Sequence, residues 1–222
     1  MKNLDTVEST THRTSTKTLS THKVLRNTYA LLALTLLFSA ITASISMALN
    51  MPPLGIFVTL IGYFGLLFCT HKYRNQTLGI VFVFALTGFM GFTLGPILNS
   101  YWSMAPQVVI KALSLTALVF FGLSAYAVTT KKNFNFLGSF LFVGILVAFL
   151  CGLAAIFMAL PALSLAVSAM FVLLMSGLIL YQTSEIIHGG ERNYISATVT
   201  LYISIYNLFT SALHLFGANQ SE

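Results

Sequence analysis

The chain has 222 residues, 57% of them hydrophobic and only 7% charged, with a formal net charge of +6. A soluble domain carries about 25% charged residues, so these proportions exclude a soluble globular fold and indicate an all-α polytopic membrane protein. The positive balance does not point to nucleic acid, and Cys69 and Cys151 both sit in apolar runs, offering neither a disulfide framework nor a Cys/His metal site.

Residues 1–26 form a separate region, rich in Ser, Thr and basic side chains and poor in apolar ones until Val24. Such composition buries too little surface to fold alone, which predicts a disordered tail. No signal-peptide layout is present, because the following apolar run is too long and lacks a small-residue cleavage site.

A bilayer core of about 30 Å needs about 20 apolar residues in a helix. Residues 27–217 hold seven such runs, roughly Asn27–Leu49, Pro53–Thr70, Leu78–Leu98, Gln107–Thr129, Phe136–Ala159, Ala162–Tyr181 and Tyr194–Gly217. The fifth and sixth are divided only by Leu160-Pro161, where proline cannot continue the backbone ladder. Pro96 is expected to bend or end the third.

Seven spans place ten of the eleven Lys and Arg residues on one side, leaving only Lys111 on the other. The positive-inside rule then sets the N-terminus in the cytoplasm and residues 218–222 outside. Small residues at four-residue spacing predict tight helix packing. They are Gly91 and Gly95 in the third run, Gly144, Ala148 and Gly152 in the fifth, and Ser196, Thr200 and Ser204 in the seventh.

No metalloprotease or phosphate-loop motif occurs, and no Asp or Glu pair sits in apolar sequence, so the chain reads as a non-enzyme without cofactor or bound metal. Ser176 with His214 as base is a weak match to an intramembrane protease, since Leu174 stands where that motif has glycine. The polar segment "LYQTSEIIHGGERNY", from Leu180, is the exception in an acid-poor chain: it holds two of its five carboxylates. A catalytic centre, an ion site, a contact surface and a solvated turn all remain open for it. Gln182 and Glu185 share one face of the sixth run, and Ser204 and Asn207 share one face of the seventh. A connecting loop of about ten residues places Gln182 and Ser204 at similar depth. Glu185, His188, Glu191 and Arg192 are expected to form ion pairs as a polar cap.

"LILYQTSEII" followed by "LYISIYNLF" resembles the closing two helices of the Bax inhibitor-1 family of seven-helix membrane proteins. "LTGFMGFTLGPIL" and "ALVFFGLSAYA" resemble its third and fourth helices, and the likeness covers about Leu19 to Gly217. Many members carry one Asp in the sixth helix, in an L-Y-D pattern, and one in the seventh, in L-Y-x-D, forming a pH-sensitive latch over a calcium leak path. The matching positions here are Gln182 and Ser204, which have no carboxyl proton to lose, so a proton-gated leak is put in doubt.

"STHKVLRNTY", "IIHGGERNYI" and "TLYISIYNLF" are closest to a bacterial branch of the family. That branch is linked to the membrane-anchored AAA protease FtsH. The resemblance implies an inner-membrane protein that binds and modulates FtsH, with HflK and HflC as further expected partners. It implies a poor substrate, gripped through its N-terminal tail. A calcium or proton leak channel is the alternative reading, and a transporter the weaker third.

Overall fold

The computed structural model describes residues 2–218, with the side chains of residues 21–218. Residues 219–222, nearly all of the expected external tail, lie outside it. Seven helices are found among the described residues: α1 (Lys2–Ala48), α2 (Ile56–Lys72), α3 (Thr77–Met104), α4 (Pro106–Thr130), α5 (Leu137–Phe157), α6 (Pro161–His188) and α7 (Tyr194–Ala218). Six are long and apolar enough to cross a membrane, counting α1 from Thr21, and α2 is a shorter apolar helix. There is no strand among the described residues.

The helix starts follow local chemistry. α4 and α6 open on Pro106 and Pro161 at their first positions, where the missing N–H would have been unpaired anyway. The Leu160-Pro161 break therefore does separate two helices. Three boundaries differ from the apolar runs. α1 is helical from Lys2, across the expected disordered tail, of which only residues 21–26 have described side chains. α3 continues through Pro96 to Met104 rather than ending there. α6 runs on to His188, well past Tyr181, leaving only residues 189–193 as the connection to α7.

α7 is the centre of the bundle. It packs against α1, α3, α4 and α6, while α2 rests mainly on α3 and α5 on α6. Apolarity and burial run in opposite order: α5 is the most apolar and least buried span, α7 the least apolar and most buried. Lipid forces apolar side chains on helices that face it, whereas a helix enclosed by protein can carry polar groups that find partners there. Leu201, Tyr202, Ser204, Leu208 and Ala212 of α7 are all fully enclosed.

The closest helix pair is α1 and α3. A methyl group added at Gly91 would collide with the Ser39 carbonyl oxygen and the Thr42 hydroxyl, and one at Gly95 would reach the Ser46 Cβ at 2.5 Å. Gly144 and Gly152 meet α6 instead: added carbons would lie 2.7 Å from Leu174 Cδ2 and 3.5 Å from Val167 Cγ1. Only glycine permits such approach of two backbones at Gly91.

Candidate functional site

The segment Leu180–Tyr194 is helix, cap, turn and helix start in succession. Gly189 ends α6 in the left-handed conformation at φ 76°, which glycine adopts without steric cost. Its N–H donates to the Ile186 carbonyl at 3.2 Å, and the Gly190 N–H donates to the Glu185 carbonyl at 2.8 Å. This is the paired closure of a Schellman motif. A Cβ at Gly190 would meet the Glu185 carboxylate, the movable end of a flexible side chain that folds over it.

Asn193 then opens α7. Its Oδ1 accepts the N–H groups of Ile195 and Ser196 at 2.9 and 3.0 Å, a full N-cap. Its Nδ2 donates to the Arg74 carbonyl at 2.9 Å and to Asn75 Oδ1 at 2.8 Å. One side chain thus joins the α6–α7 turn to the α2–α3 loop. On the other flank, Ser184 and His188 hold the α4–α5 loop. Ser184 Oγ accepts the Phe134 N–H at 3.0 Å and donates to the Lys132 carbonyl at 3.2 Å. His188 Nε2 lies 2.9 Å from the Lys131 carbonyl oxygen, and its Nδ1 2.9 Å from the Ser184 carbonyl oxygen. Neither Ser184 nor Asn193 stood out in the sequence; the apolar-run pattern carries no mark for a residue whose partners are backbone groups of another loop.

The expected ion pairing does not form among the described residues. Glu191 Oε1 accepts the Asn193 N–H at 2.8 Å, Arg192 Nε donates to the Gly189 carbonyl at 3.2 Å, and His188 is engaged as above. Backbone groups at the turn are nearer and fixed, so they take these side chains in place of one another. Glu185 folds over Gly190, with Oε1 buried and unpartnered.

The four polar positions on α6 and α7 are not drawn into one hydrogen-bonded cluster. Gln182 is buried with Nε2 unpartnered. Ser204 is fully enclosed, but its hydroxyl donates to its own helix, to the Thr200 carbonyl at 2.7 Å. Asn207 Nδ2 donates to the Ile203 carbonyl at 2.9 Å and the residue lines a cavity of about 490 Å³ with Tyr63, Thr93 and Tyr206. The protease-like pair is also absent: Ser176 donates to the Val172 carbonyl, while His214 Nδ1 lies 2.9 Å from Ser168 Oγ. Among the described residues no three His, Cys, Asp or Glu side chains converge.

The family model described as "Inhibitor of apoptosis-promoting Bax1" matches residues 21–221. The chain belongs to the Bax inhibitor-1 family. Relatives extend along nearly all of it. A protein of Escherichia coli (strain K12) named "Modulator of FtsH protease YccA" is 54% identical over 215 residues, covering 96% of this chain and 98% of its own. An uncharacterized protein of Pseudomonas aeruginosa is 56% identical over 196 residues, 87% of this chain and 88% of that one. An uncharacterized membrane protein of Vibrio cholerae is 46% identical over 204 residues, 90% and 92% of the two chains. The Bax inhibitor-1 match begins at Thr21 and leaves out the first 20 residues.

Proposed function

We propose that this chain is a non-enzymatic protein of the bacterial inner membrane that binds and modulates the FtsH protease, and that FtsH grips it as a poor substrate through its N-terminal residues. The observation that carries this is the 54% identity, over 96% of the chain, to a protein named as a modulator of that protease. A relative of equal identity is named an inner membrane protein. The distribution of Lys and Arg supports a cytoplasmic N-terminus.

Physical chemistry supplies a route. Residues 1–20 are polar and rich in Ser and Thr, and an isolated helix in water is marginal, so little opposes drawing this segment into a pore. An extended segment of 20 residues reaches about 66–72 Å. The membrane body resists: its spans are apolar, and α1 is locked on α3 at Gly91 and Gly95. An easy handle on a resistant body stalls a processive protease. HflK and HflC belong to the same proposed assembly.

The ion-leak reading is less well supported, because Gln182 and Ser204 hold the positions where the family's latch carries carboxylates. Co-isolation tests the proposal. A tagged full-length chain should retain FtsH, together with HflK and HflC, from mildly solubilised bacterial membranes. Recovery of FtsH no greater than with an unrelated seven-helix protein would refute it.

A further inference from the structure

Residues 22–29 of α1 and the last turns of α4 border an open cavity of about 820 Å³. Its lining is divided by chemistry. His22, Lys23 and Arg26 of α1 contribute three exposed basic groups, while Leu25, Phe121 and Val128 contribute an apolar wall. The two carboxylates whose side chains are described, Glu185 and Glu191, are not part of the lining. Among the described residues, the cavity therefore carries a positive charge that no carboxylate in its wall offsets.

A second observation comes from Ser124, which also lines it. Ser124 is only 5% exposed, and its hydroxyl has no hydrogen-bond partner. Helical Ser and Thr hydroxyls usually bond back to a carbonyl one turn earlier, as Thr116, Ser168, Ser176 and Ser204 do here. A buried hydroxyl left unpaired is costly, so an unpaired one on a residue that lines a cavity is a place for a ligand acceptor. Ser124 lies six residues before the end of α4 at Thr130, about 9 Å along the helix axis. Phe121 of the apolar wall lies nearly one turn deeper along α4, and Val128 about one turn nearer its end.

We propose that this cavity is a binding site for an anionic glycerophospholipid. The phosphate sits against Lys23 and Arg26, with His22 beside them. The Ser124 hydroxyl donates to an ester carbonyl, the first acceptor below the phosphate. One acyl chain runs deeper along Phe121, with Leu25 and Val128 flanking the headgroup level. A free phosphate would satisfy only the rim. The apolar wall, with Phe121 68% exposed, requires hydrocarbon. Basic pockets between spans at the cytoplasmic face have this pattern of charge above and hydrocarbon below.

The test uses the full chain in nanodiscs of equal phosphatidylglycerol and phosphatidylcholine, with retained lipid read by native mass spectrometry after mild release. The wild type should keep phosphatidylglycerol in preference to phosphatidylcholine. The K23Q/R26Q variant should lose at least about tenfold of that preference, since each basic group near an anionic headgroup contributes about fivefold. Because Lys23 and Arg26 also orient the protein, S124V and A125F form a second arm: both keep every charge, and both should lower phosphatidylglycerol occupancy. K111Q, at the far end of the bundle, should change nothing. Equal retention in S124V, A125F and wild type would overturn the proposal. So would displacement of the lipid by millimolar inorganic phosphate, which indicates a free-anion site, or a polypeptide cross-linked at Phe121 in its place.

Discussion

The Ser39 hydroxyl lies 2.6 Å from the Tyr202 hydroxyl, and Tyr202 donates in turn to the Thr87 carbonyl at 3.2 Å. Both side chains are buried, so this chain of two hydrogen bonds ties α1, α7 and α3 together where no water competes. Gly91 sits beside the same Ser39, so the close helix approach and the polar link depend on one another. Replacing Tyr202 by Phe removes the hydroxyl while keeping the ring, and strands Ser39. The expected loss is about 0.6–2 kcal/mol, seen as a melting temperature in detergent lowered by about 2–6 °C. An unchanged melting curve would show that the link contributes nothing.

Two glycines separate tight packing from mere helix content. Gly91→Ala drives a methyl group into the Ser39 carbonyl and should cost about 1–3 kcal/mol. Gly122→Ala meets nothing within 4 Å and should be neutral or stabilising by about 0.5–1 kcal/mol. Thermal unfolding of the two variants side by side checks this; equal effects would contradict the assigned α1–α3 contact.

Asn193→Ala removes the cap of α7 and the bridge to Arg74 and Asn75 together. The cap alone is worth about 1 kcal/mol. Hydrogen exchange should quicken at Ile195 and Ser196 and in the α2–α3 loop, while the middle of α7 keeps its protection. Exchange confined to residues 195 and 196 would show that the bridge to the loop is not holding it.

The same residues show what a sequence discloses. Helix count and order follow from apolar runs because lipid demands about 20 apolar residues for each crossing, and α2, at 17 residues, is short but still legible. Gly91 and Gly95 mark a helix face by spacing, and the structure sets Ser39, Thr42 and Ser46 against it. The end of α6 was hidden for the opposite reason. Five of the seven residues 182–188 are polar, yet the segment is helical, and Ser184 and His188 bond to the α4–α5 loop rather than facing lipid. Pro96 failed as a stop signal because neighbours in a bundle can satisfy the freed backbone groups. The candidate site was legible only as residue types. That His188, Glu191 and Arg192 bond to backbone atoms at a tight turn depends on where Gly189 reverses the chain.

Gln182 and Ser204 predict the ion behaviour. Reconstituted in liposomes, the protein should show little calcium flux and no steep change between about pH 6 and 8, a span in which carboxylates with raised pKa titrate. A paired carboxylate opens its latch as the second proton leaves and closes it as pH falls; a glutamine and a serine have no such step. The Q182D/S204D variant should acquire acid sensitivity. A steep flux change already present in the wild type would contradict the account.

The N-terminal residues bear most directly on the central claim. The measurement is the rate at which purified FtsH degrades a reporter membrane substrate in proteoliposomes, with the full chain or with a chain lacking residues 1–20. Lys23 and Arg26 stay in both, and insertion is verified by protease protection. The account predicts that the full chain slows reporter degradation and is itself cut slowly. The truncated chain, inserted at the same level, should be resistant to FtsH and should relieve most of that inhibition. Undiminished inhibition and unchanged cleavage of the truncated chain would contradict it.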